Sequence, residues 1–401
     1  MNQSPALKRN IGPWLLVFFG LGNILGAGIY VLIGKVASEA GYLAPLAFTI
    51  AALVAALSAL SYAELSGRFP AAGGEVVYIQ KAYKNSILSM LTGLLIAAAG
   101  LLSSSTILRG FAGYMQLFWP VSDSLIILLA VVAIGGIAIW GVKQSLRVAA
   151  LFTIVEIIGL LLIMVPGMDW QTITLARLPE INIVTDPGVL AGVVTGAFLA
   201  FFAFIGFEDM VNLAEEVKDP SRTMPIAIIA ALIISTGLYI LISLVAVSHV
   251  SPAELGASDA PLSLVFTKIT GQSPYVITLI SLFAISNGAL VQVVMISRLL
   301  FGMGSQFPLF SVFFQTGKLT GTPVRATLLA VVLILILALW FPLHRLAELT
   351  STVILIVFIA VNASLIKVRR DEARYPGLLS RIQPWLGIVL TLFLLVAYFS
   401  V

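Results

Sequence analysis

Two apolar stretches of the chain carry residues that could form a binding site inside a membrane. Residues 12–36 have a cluster of glycines at their centre, and residues 190–217 contain Gly206 followed by Glu208 and Asp209. Glycine lets a helix break, and a break leaves free N–H groups that suit a carboxylate and free carbonyls that suit an ammonium. Two facing breaks would therefore bind a zwitterion such as an α-amino acid. The alternative for the first stretch is a small-residue packing seam.

A third acidic residue, Glu156, lies deep in the apolar segment LFTIVEIIGLLLIM. A carboxylate at membrane depth costs several kcal/mol unless it faces protein, water or a partner, so such a residue usually marks function. We expect Glu156 to carry the coupling proton, because a buried carboxyl group can titrate near neutral pH. Two alternatives stay open: a neutral, hydrogen-bonded structural acid, and a cation site completed by hydroxyls such as those of Ser281 or Ser286.

The elements that must position these residues are membrane spans. Apolar residues make up 60% of the 401 residues, and charged residues make up 10%. About eleven spans account for most of the chain and leave no room for a soluble catalytic domain. They are expected at 12–36, 43–66, 86–118, 124–142, 147–167, 190–217, 224–248, 275–303, 324–342, 346–366 and 383–400. Short interfacial helices are expected within 67–85 and 252–272.

The basic residues predict the orientation of the chain. Most of the 22 Lys and Arg residues fall on one side if the N-terminus is cytoplasmic, which is the positive-inside pattern. The net charge of +4 therefore reflects the membrane topology. The sequence has no basic stripe interleaved with aromatic residues that would indicate nucleic-acid binding. The absence of cysteine excludes disulfides and thiolate metal sites. No catalytic motif is present, so we expect no enzyme, no cofactor and no metal site.

The positions of the two breaks predict an internal repeat. Each lies about 14 or 15 residues into its span, and the two spans are five apart, so two five-span repeats would have inverted topology. The repeats are expected at 12–167 and 190–366, with an accessory span at 383–400. This all-α arrangement is typical of secondary transporters with discontinuous helices.

Four segments resemble the amino acid-polyamine-organocation (APC) superfamily, particularly its bacterial permeases and the cationic amino acid transporter-like branch. They are GNILGAGIYVLIG, SYAELSGRFPAAGGEVVYI, FFAFIGFED and EEVKDPSRTMP. The resemblance implies the leucine-transporter fold with inverted repeats. It also implies a site for the substrate carboxylate in the first span, formed by Asn23, Ile24, Gly26, Ala27 and Gly28. The substrate amino group and side chain would meet the sixth span at Phe202, Ile205 and Gly206.

The resemblance bears on coupling as well. Glu208 matches a family acid that links protonation to the unwound part of the sixth span, although a structural bond to freed backbone N–H groups is the alternative. Glu156 stands where proton-coupled relatives often have a lysine. The serines Ser103, Ser104 and Ser105 are expected to bond to carbonyls of their own helix, and lining of the substrate pocket is the alternative.

We therefore predict a multi-pass bacterial inner-membrane permease, monomeric or homodimeric, whose partners are an amino acid, protons and lipid. It would take up neutral or broad-range amino acids with protons by alternating access. The alternative is an exchanger or exporter of cationic amino acids or polyamines. An intramembrane enzyme and a passive channel are disfavoured, because neither catalytic groups nor a filter-like loop are apparent.

Overall fold

The computed structural model describes residues 9–26, 28–71, 73–140, 146–169, 186–317, 320–372 and 378–400. Fifteen α-helices follow one another within these ranges. The first eight are α1 (Pro13–Leu25), α2 (Gly28–Ala40), α3 (Ala44–Arg68), α4 (Gly74–Tyr83), α5 (Ser86–Met115), α6 (Asp123–Trp140), α7 (Leu146–Gly167) and α8 (Pro187–Phe201). The others are α9 (Pro220–His249), α10 (Pro252–Ala257), α11 (Pro261–Thr270), α12 (Tyr275–Gln306), α13 (Val324–Trp340), α14 (Leu343–Asp371) and α15 (Leu378–Ser400).

The predicted all-α polytopic fold is confirmed. Nine helical stretches in the described part of the chain are long and apolar enough to cross a membrane. One of them, Gly28–Arg68, contains both α2 and α3, which a short 3-10 turn at Gly41–Leu43 separates. The shorter apolar helices α1 and α13 complete the first and ninth predicted spans. The division into inverted repeats at 12–167 and 190–366 stays a prediction.

The connections also contain helices. The helix expected within 67–85 is α4, which begins directly after Gly73. Gly73 has φ of 105°, a value that only glycine adopts readily. The segment 252–272 forms α10 and α11, and the Ser251 side chain caps α10 by accepting a hydrogen bond from the Glu254 N–H. Both segments form short helices as expected, and their place at the membrane interface stays a prediction.

The core around the broken spans is made by close helix packing. α3 packs along α9, α5 packs against both α12 and α14, and α1 contacts α7 and α9. Small residues allow this approach: a Cβ on Gly110 would lie 2.3 Å from Val31, and one on Gly196 would lie 2.7 Å from Ala40. The broken spans are thus held on several sides by unbroken helices.

The accessory span is tied to the bundle by buried polar groups. α15 begins at Leu378, earlier than the predicted residue 383. The Gln383 amide donates to the carbonyl of Leu57 and, at 3.0 Å, to the Ser61 hydroxyl. Ser61 in turn donates to Asn362 of α14 at 2.6 Å. These bonds join α3, α14 and α15 where apolar packing alone would give little specificity.

Candidate substrate-binding site

The first span breaks where the sequence predicts. α1 ends at Leu25, the Gly26 N–H still bonds to the carbonyl of Gly22 at 3.1 Å, and α2 begins at Gly28. The predicted carboxylate ligand Ala27 lies outside the described residues. The N-terminal end of α2, with its free N–H groups, therefore starts in the middle of the membrane span.

The sixth span breaks at the predicted glycine. α8 ends at Phe201 and continues as a 3-10 turn over Phe202–Phe204. Ile205 is extended, with ψ of 136°, and Gly206 has φ of 129°, a region that is essentially reserved for glycine. Beyond the break the chain forms a 3-10 helix over Glu208–Glu216. A 3-10 run of this length is uncommon and marks a strained or functional segment.

The two breaks touch each other directly. A Cβ on Gly28 would lie 2.3 Å from the Cα of Ala203, and a Cβ on Gly206 would lie 2.8 Å from the carbonyl carbon of Asn23. Neither position has room for a side chain. The backbones of the first and sixth spans therefore meet at the two glycines that the sequence singles out.

Tyr239 of α9 joins the two breaks. Its hydroxyl lies 2.6 Å from the carbonyl oxygen of Ile24 and 2.9 Å from that of Ala203, so it can donate to either. Both carbonyls lie at helix ends, where they lack a regular helical partner. Sequence analysis missed this residue, because a single tyrosine in an apolar span gives no signal of a role.

We expect Tyr239→Phe to weaken substrate binding about tenfold, or about 1.4 kcal/mol. Both carbonyls lose their shared donor, so the hydrogen bonds that join the two breaks are lost. The dissociation constant of the purified protein measures this effect. Tyr275→Phe is the matched control, since Tyr275 is exposed at the start of α12. Equal affinity for Tyr239→Phe and the wild type would contradict the role given to the hydroxyl.

A cavity lies against both breaks. Its wall contains five of the predicted ligands, namely Asn23, Ile24, Gly28, Phe202 and Ile205. Gly26 and Gly206 are not part of the wall: Gly26 packs against α12, and Gly206 against Asn23. The rest of the wall comes from α5 and α12. It contains Ser103, for which pocket lining was the alternative, and four residues that sequence analysis missed: Ile107, Gly288, Val291 and Gln292.

The serine run has mixed roles. Ser105 donates to the carbonyl of Leu101 at 2.7 Å, as expected of a serine in an apolar helix. Ser103, in contrast, lines the cavity. Ser103 therefore follows the pocket-lining alternative, because successive residues of a helix point in different directions. The buried Ser104 hydroxyl has no hydrogen-bond partner among the described residues, so the expected bond to a carbonyl is wrong for Ser104.

A second, acidic cavity adjoins the first and shares Ser103, Ile205 and Gln292 with it. Three carboxyl groups face it, those of Glu75, Glu208 and Asp209. We call these three residues the acidic cluster. Each has a hydrogen-bond partner. The Gly206 N–H donates to Glu208 at 2.8 Å, the Gln292 amide to Asp209 at 3.1 Å and the Tyr62 hydroxyl to Glu75 at 2.9 Å.

Glu75 is the member of the acidic cluster that sequence analysis missed. It belongs to the short helix α4, and its side chain is almost completely buried. Burial raises the pKa of its carboxyl group to about 7, an effect that the hydrogen bond from Tyr62 opposes.

Glu208 accepts a hydrogen bond from the freed N–H of Gly206. This bond is the structural role given as the alternative for Glu208. That bond leaves its role in coupling a prediction.

Glu156 is separate from both cavities. It is buried behind α1, and a Cβ on Gly22 would lie 2.4 Å from the Thr153 hydroxyl and 3.9 Å from a Glu156 carboxyl oxygen. The backbone carbonyl of Glu156 accepts a hydrogen bond from Tyr30 at 2.8 Å. Both of its carboxyl oxygens are buried without a hydrogen-bond partner in the described part of the chain. Its role in proton coupling stays a prediction.

Neither cavity has the side chains of a metal site. Within the described ranges, no three His, Cys, Asp or Glu side chains are grouped so that they could hold a metal ion. The acidic cluster therefore offers hydrogen-bonding carboxyl groups, whereas the first cavity offers helix ends, one hydroxyl and two amides.

Comparison with known proteins identifies the family. The family model described as amino acid permease matches residues 11–401. Cationic amino acid transporter 3, mitochondrial, of Arabidopsis thaliana is 30% identical over 90% of this chain. The branched-chain amino acid permease BcaP of Bacillus subtilis is 28% identical over 97% of this chain and 88% of its own length. The inner membrane transport protein YbaT of Escherichia coli is 28% identical over 91% of this chain and 85% of its own length.

The match covers only part of the plant protein, since the chain spans 63% of that protein's length. The bacterial matches extend over most of both chains. The family match includes every span that forms the two cavities. The apolar helices and the two facing breaks agree with it. The chain therefore belongs to the amino acid permease family of the APC superfamily.

Proposed function

We propose that this protein is a secondary active transporter that takes up neutral or broad-range amino acids together with protons. The observation that carries the proposal is the cavity between the two breaks, with Asn23, Ile24 and Gly28 on one side and Phe202 and Ile205 on the other. The N-terminal end of α2 suits the substrate carboxylate, and the carbonyls that end the first half of the sixth span suit the ammonium.

The rest of the cavity wall favours a neutral side chain. Ile107, Phe202 and Val291 offer apolar surface, and Ser103 and Gln292 offer uncharged hydrogen-bonding groups. Among the residues that the structure describes, none with a charged side chain lines this cavity. A charged substrate side chain placed here would lose its hydration without gaining a counter-charge. The relative from Bacillus subtilis, which is named a branched-chain amino acid permease, is consistent with this choice.

The acidic cluster supports a second candidate, a transporter of cationic amino acids or polyamines. Its three carboxyl groups adjoin the first cavity and could meet the cationic end of a long substrate. The plant relatives are named cationic amino acid transporters. We favour the neutral substrate because the hydrogen bonds made by Glu75, Glu208 and Asp209 already occupy part of their acceptor capacity.

Glu156 and Glu208 are the residues that we propose for proton coupling. Both are buried carboxyl groups on spans next to the first break, and loss or gain of a proton would change their charge by one unit in a medium of low polarity. We further propose a location in the bacterial inner membrane with the N-terminus in the cytoplasm, which the distribution of basic residues supports.

Ligand-induced thermal stabilisation of the purified protein tests the substrate. We expect neutral amino acids to raise the melting temperature, because a ligand at about 100 times its dissociation constant stabilises the folded state by about 2.7 kcal/mol. Amino acid amides, esters and N-acyl derivatives should stabilise little, since each lacks one of the two charged α groups. Stabilisation by polyamines or by lysine and arginine alone would favour the second candidate.

A further inference from the structure

A pair of backbone hydrogen bonds ties the chain that leads into α1 to the end of the sixth span. The Ile11 N–H donates to the carbonyl of Glu216 at 3.1 Å, and the Lys218 N–H donates to the carbonyl of Ile11 at 2.9 Å. These bonds pair Ile11 with Val217 in a parallel bridge. We call the pair and its two hydrogen bonds the backbone bridge. It uses the segment EEVKDPSRTMP, none of whose described residues lines either cavity.

The backbone bridge is buried, and the turn that follows it is held in one geometry. Ile11 is 2% exposed and Val217 is 0% exposed. Breaking buried backbone hydrogen bonds is unfavourable where water does not replace the lost partner. In the turn, Asp219 has φ of 45°, a left-handed value that few non-glycine residues adopt. The Thr223 hydroxyl donates to the carbonyl of Lys218 at 2.7 Å and so fixes the end of the bridge.

α1 and the 3-10 helix at Glu208–Glu216 also touch beyond the backbone bridge. Midway along both helices, a Cβ on Gly20 would lie 2.4 Å from the sulfur of Met210. At the far end, a Cβ on Gly206 would lie 2.8 Å from the carbonyl carbon of Asn23. The two helices are therefore in contact at both ends and in the middle, whereas α5 and α12 face them across the cavities.

The end of α3 rests on the same segment as the backbone bridge. A Cβ on Gly67 would lie 3.3 Å from both the Cα and the carbonyl oxygen of Ser221, which is in the first turn of α9. Gly67 belongs to SYAELSGRFPAAGGEVVYI. Two of the four segments that carry the family resemblance thus meet at this place, and the other two contain the breaks.

We propose that the backbone bridge joins α1 and the 3-10 helix at Glu208–Glu216 into one body that moves as a unit during transport. A bound substrate leaves the cavity only when the cavity walls part. The bridge directs this parting to the boundary with α5 and α12, so that the two broken spans stay together. This inference rests on the proposed function, because it requires transport by alternating access.

A disulfide across the backbone bridge tests whether the two helices separate during transport. Paired residues on neighbouring strands have Cα atoms about 5 Å apart, which suits a disulfide. The chain has no cysteine of its own, so only the introduced thiols react. In proteoliposomes, we expect oxidised, cross-linked Ile11→Cys/Val217→Cys to keep uptake within about threefold of its reduced form. The transported probe is the neutral amino acid that stabilises the wild type most, and loss of maleimide-reactive thiols measures the cross-link.

Gly12→Cys/Lys218→Cys is the second pair, because cysteines at the two buried positions could impair folding. Gly12 and Lys218 directly follow the bridged residues, Lys218 is exposed, and a Cβ on Gly12 would meet nothing within 4 Å. The same small effect of oxidation is expected. Wild-type protein treated with the oxidant is the control for damage that does not involve the introduced thiols.

Proline at position 11 tests whether transport needs the backbone bridge. Ile11→Pro removes the N–H that donates to Glu216, whereas Ile11→Ala keeps this donor and is the matched control for loss of the buried side chain. We expect uptake by Ile11→Pro to be at least fivefold lower than uptake by Ile11→Ala. The dissociation constants of the two purified variants should agree within about threefold, because no cavity residue changes. Equal uptake by the two variants would overturn the role of the bridge.

The outcomes separate this inference from the proposed function. If the wild type neither binds nor takes up a neutral amino acid, the proposed function is wrong and the inference falls with it. If the wild type transports but the cross-link causes a larger loss of uptake that reduction restores, only the inference is wrong, because the two spans must then part at the bridge. Failure of both pairs to cross-link in folded protein would also overturn it, because the bridge would not form in the membrane.

Discussion

Gradient-driven uptake is expected to fall at least tenfold when Glu156 is replaced by glutamine, while substrate affinity stays within about tenfold, or about 1.4 kcal/mol. Glutamine preserves the shape of the side chain but cannot ionise. The carboxyl group lies outside both cavities, so its loss removes no substrate contact. Uptake into proteoliposomes with an imposed inward proton gradient, with and without a protonophore, measures the effect.

Glu208→Gln is the matched comparison, because Glu208 is a buried carboxyl group that faces the acidic cavity and bonds the N–H of Gly206. If only Glu208→Gln loses the gradient response, the coupling acid lies in the sixth span. A permanently protonated structural Glu156 would tolerate glutamine with uptake almost unchanged. If sodium drives the wild type, the alternative of a cation site near α1, α7 and α12 becomes the better interpretation.

The sequence predicts those parts of the site that depend on residue type and spacing within one span. Glycines in an apolar span indicate a break, and both breaks lie where Gly26, Gly28 and Gly206 predict them. Hydropathy likewise predicts the spans, because nearly every apolar stretch of sufficient length becomes a helix in a membrane. Residue type and local spacing suffice for these features.

The missed residues belong to helices that are apolar on every side. α5 and α12 provide Ile107, Gly288 and Gln292 to the cavity, but no amphipathic period marks the side of these spans that faces it. Tyr239 and Glu75 matter only because of what lies opposite them, namely two carbonyls at helix ends and the acidic cavity. Such relations depend on how distant spans pack, which one sequence does not reveal.

Gly28 and Gly206, the glycines at which the two breaks meet, have no room for a side chain. A side chain on Gly28 would collide with the Cα of Ala203 at 2.3 Å, and one on Gly206 would collide with the backbone of Asn23 while also requiring φ of 129°. Backbone atoms cannot rotate away as a flexible side chain can. Even a single added methyl group must therefore push the first and sixth spans apart, and valine must do so further.

We expect Gly28→Val and Gly206→Val each to weaken substrate binding more than about 100-fold, or about 2.7 kcal/mol, because the cavity forms only where the two backbones touch. Membrane insertion should persist, since hydropathy and not the break governs it. Binding is measured by thermal stabilisation of purified protein. Gly237→Val is the control, because a Cβ at this exposed position on α9 meets nothing within 4 Å. Wild-type affinity in a well-folded Gly28 or Gly206 variant would show that the zwitterion site lies elsewhere.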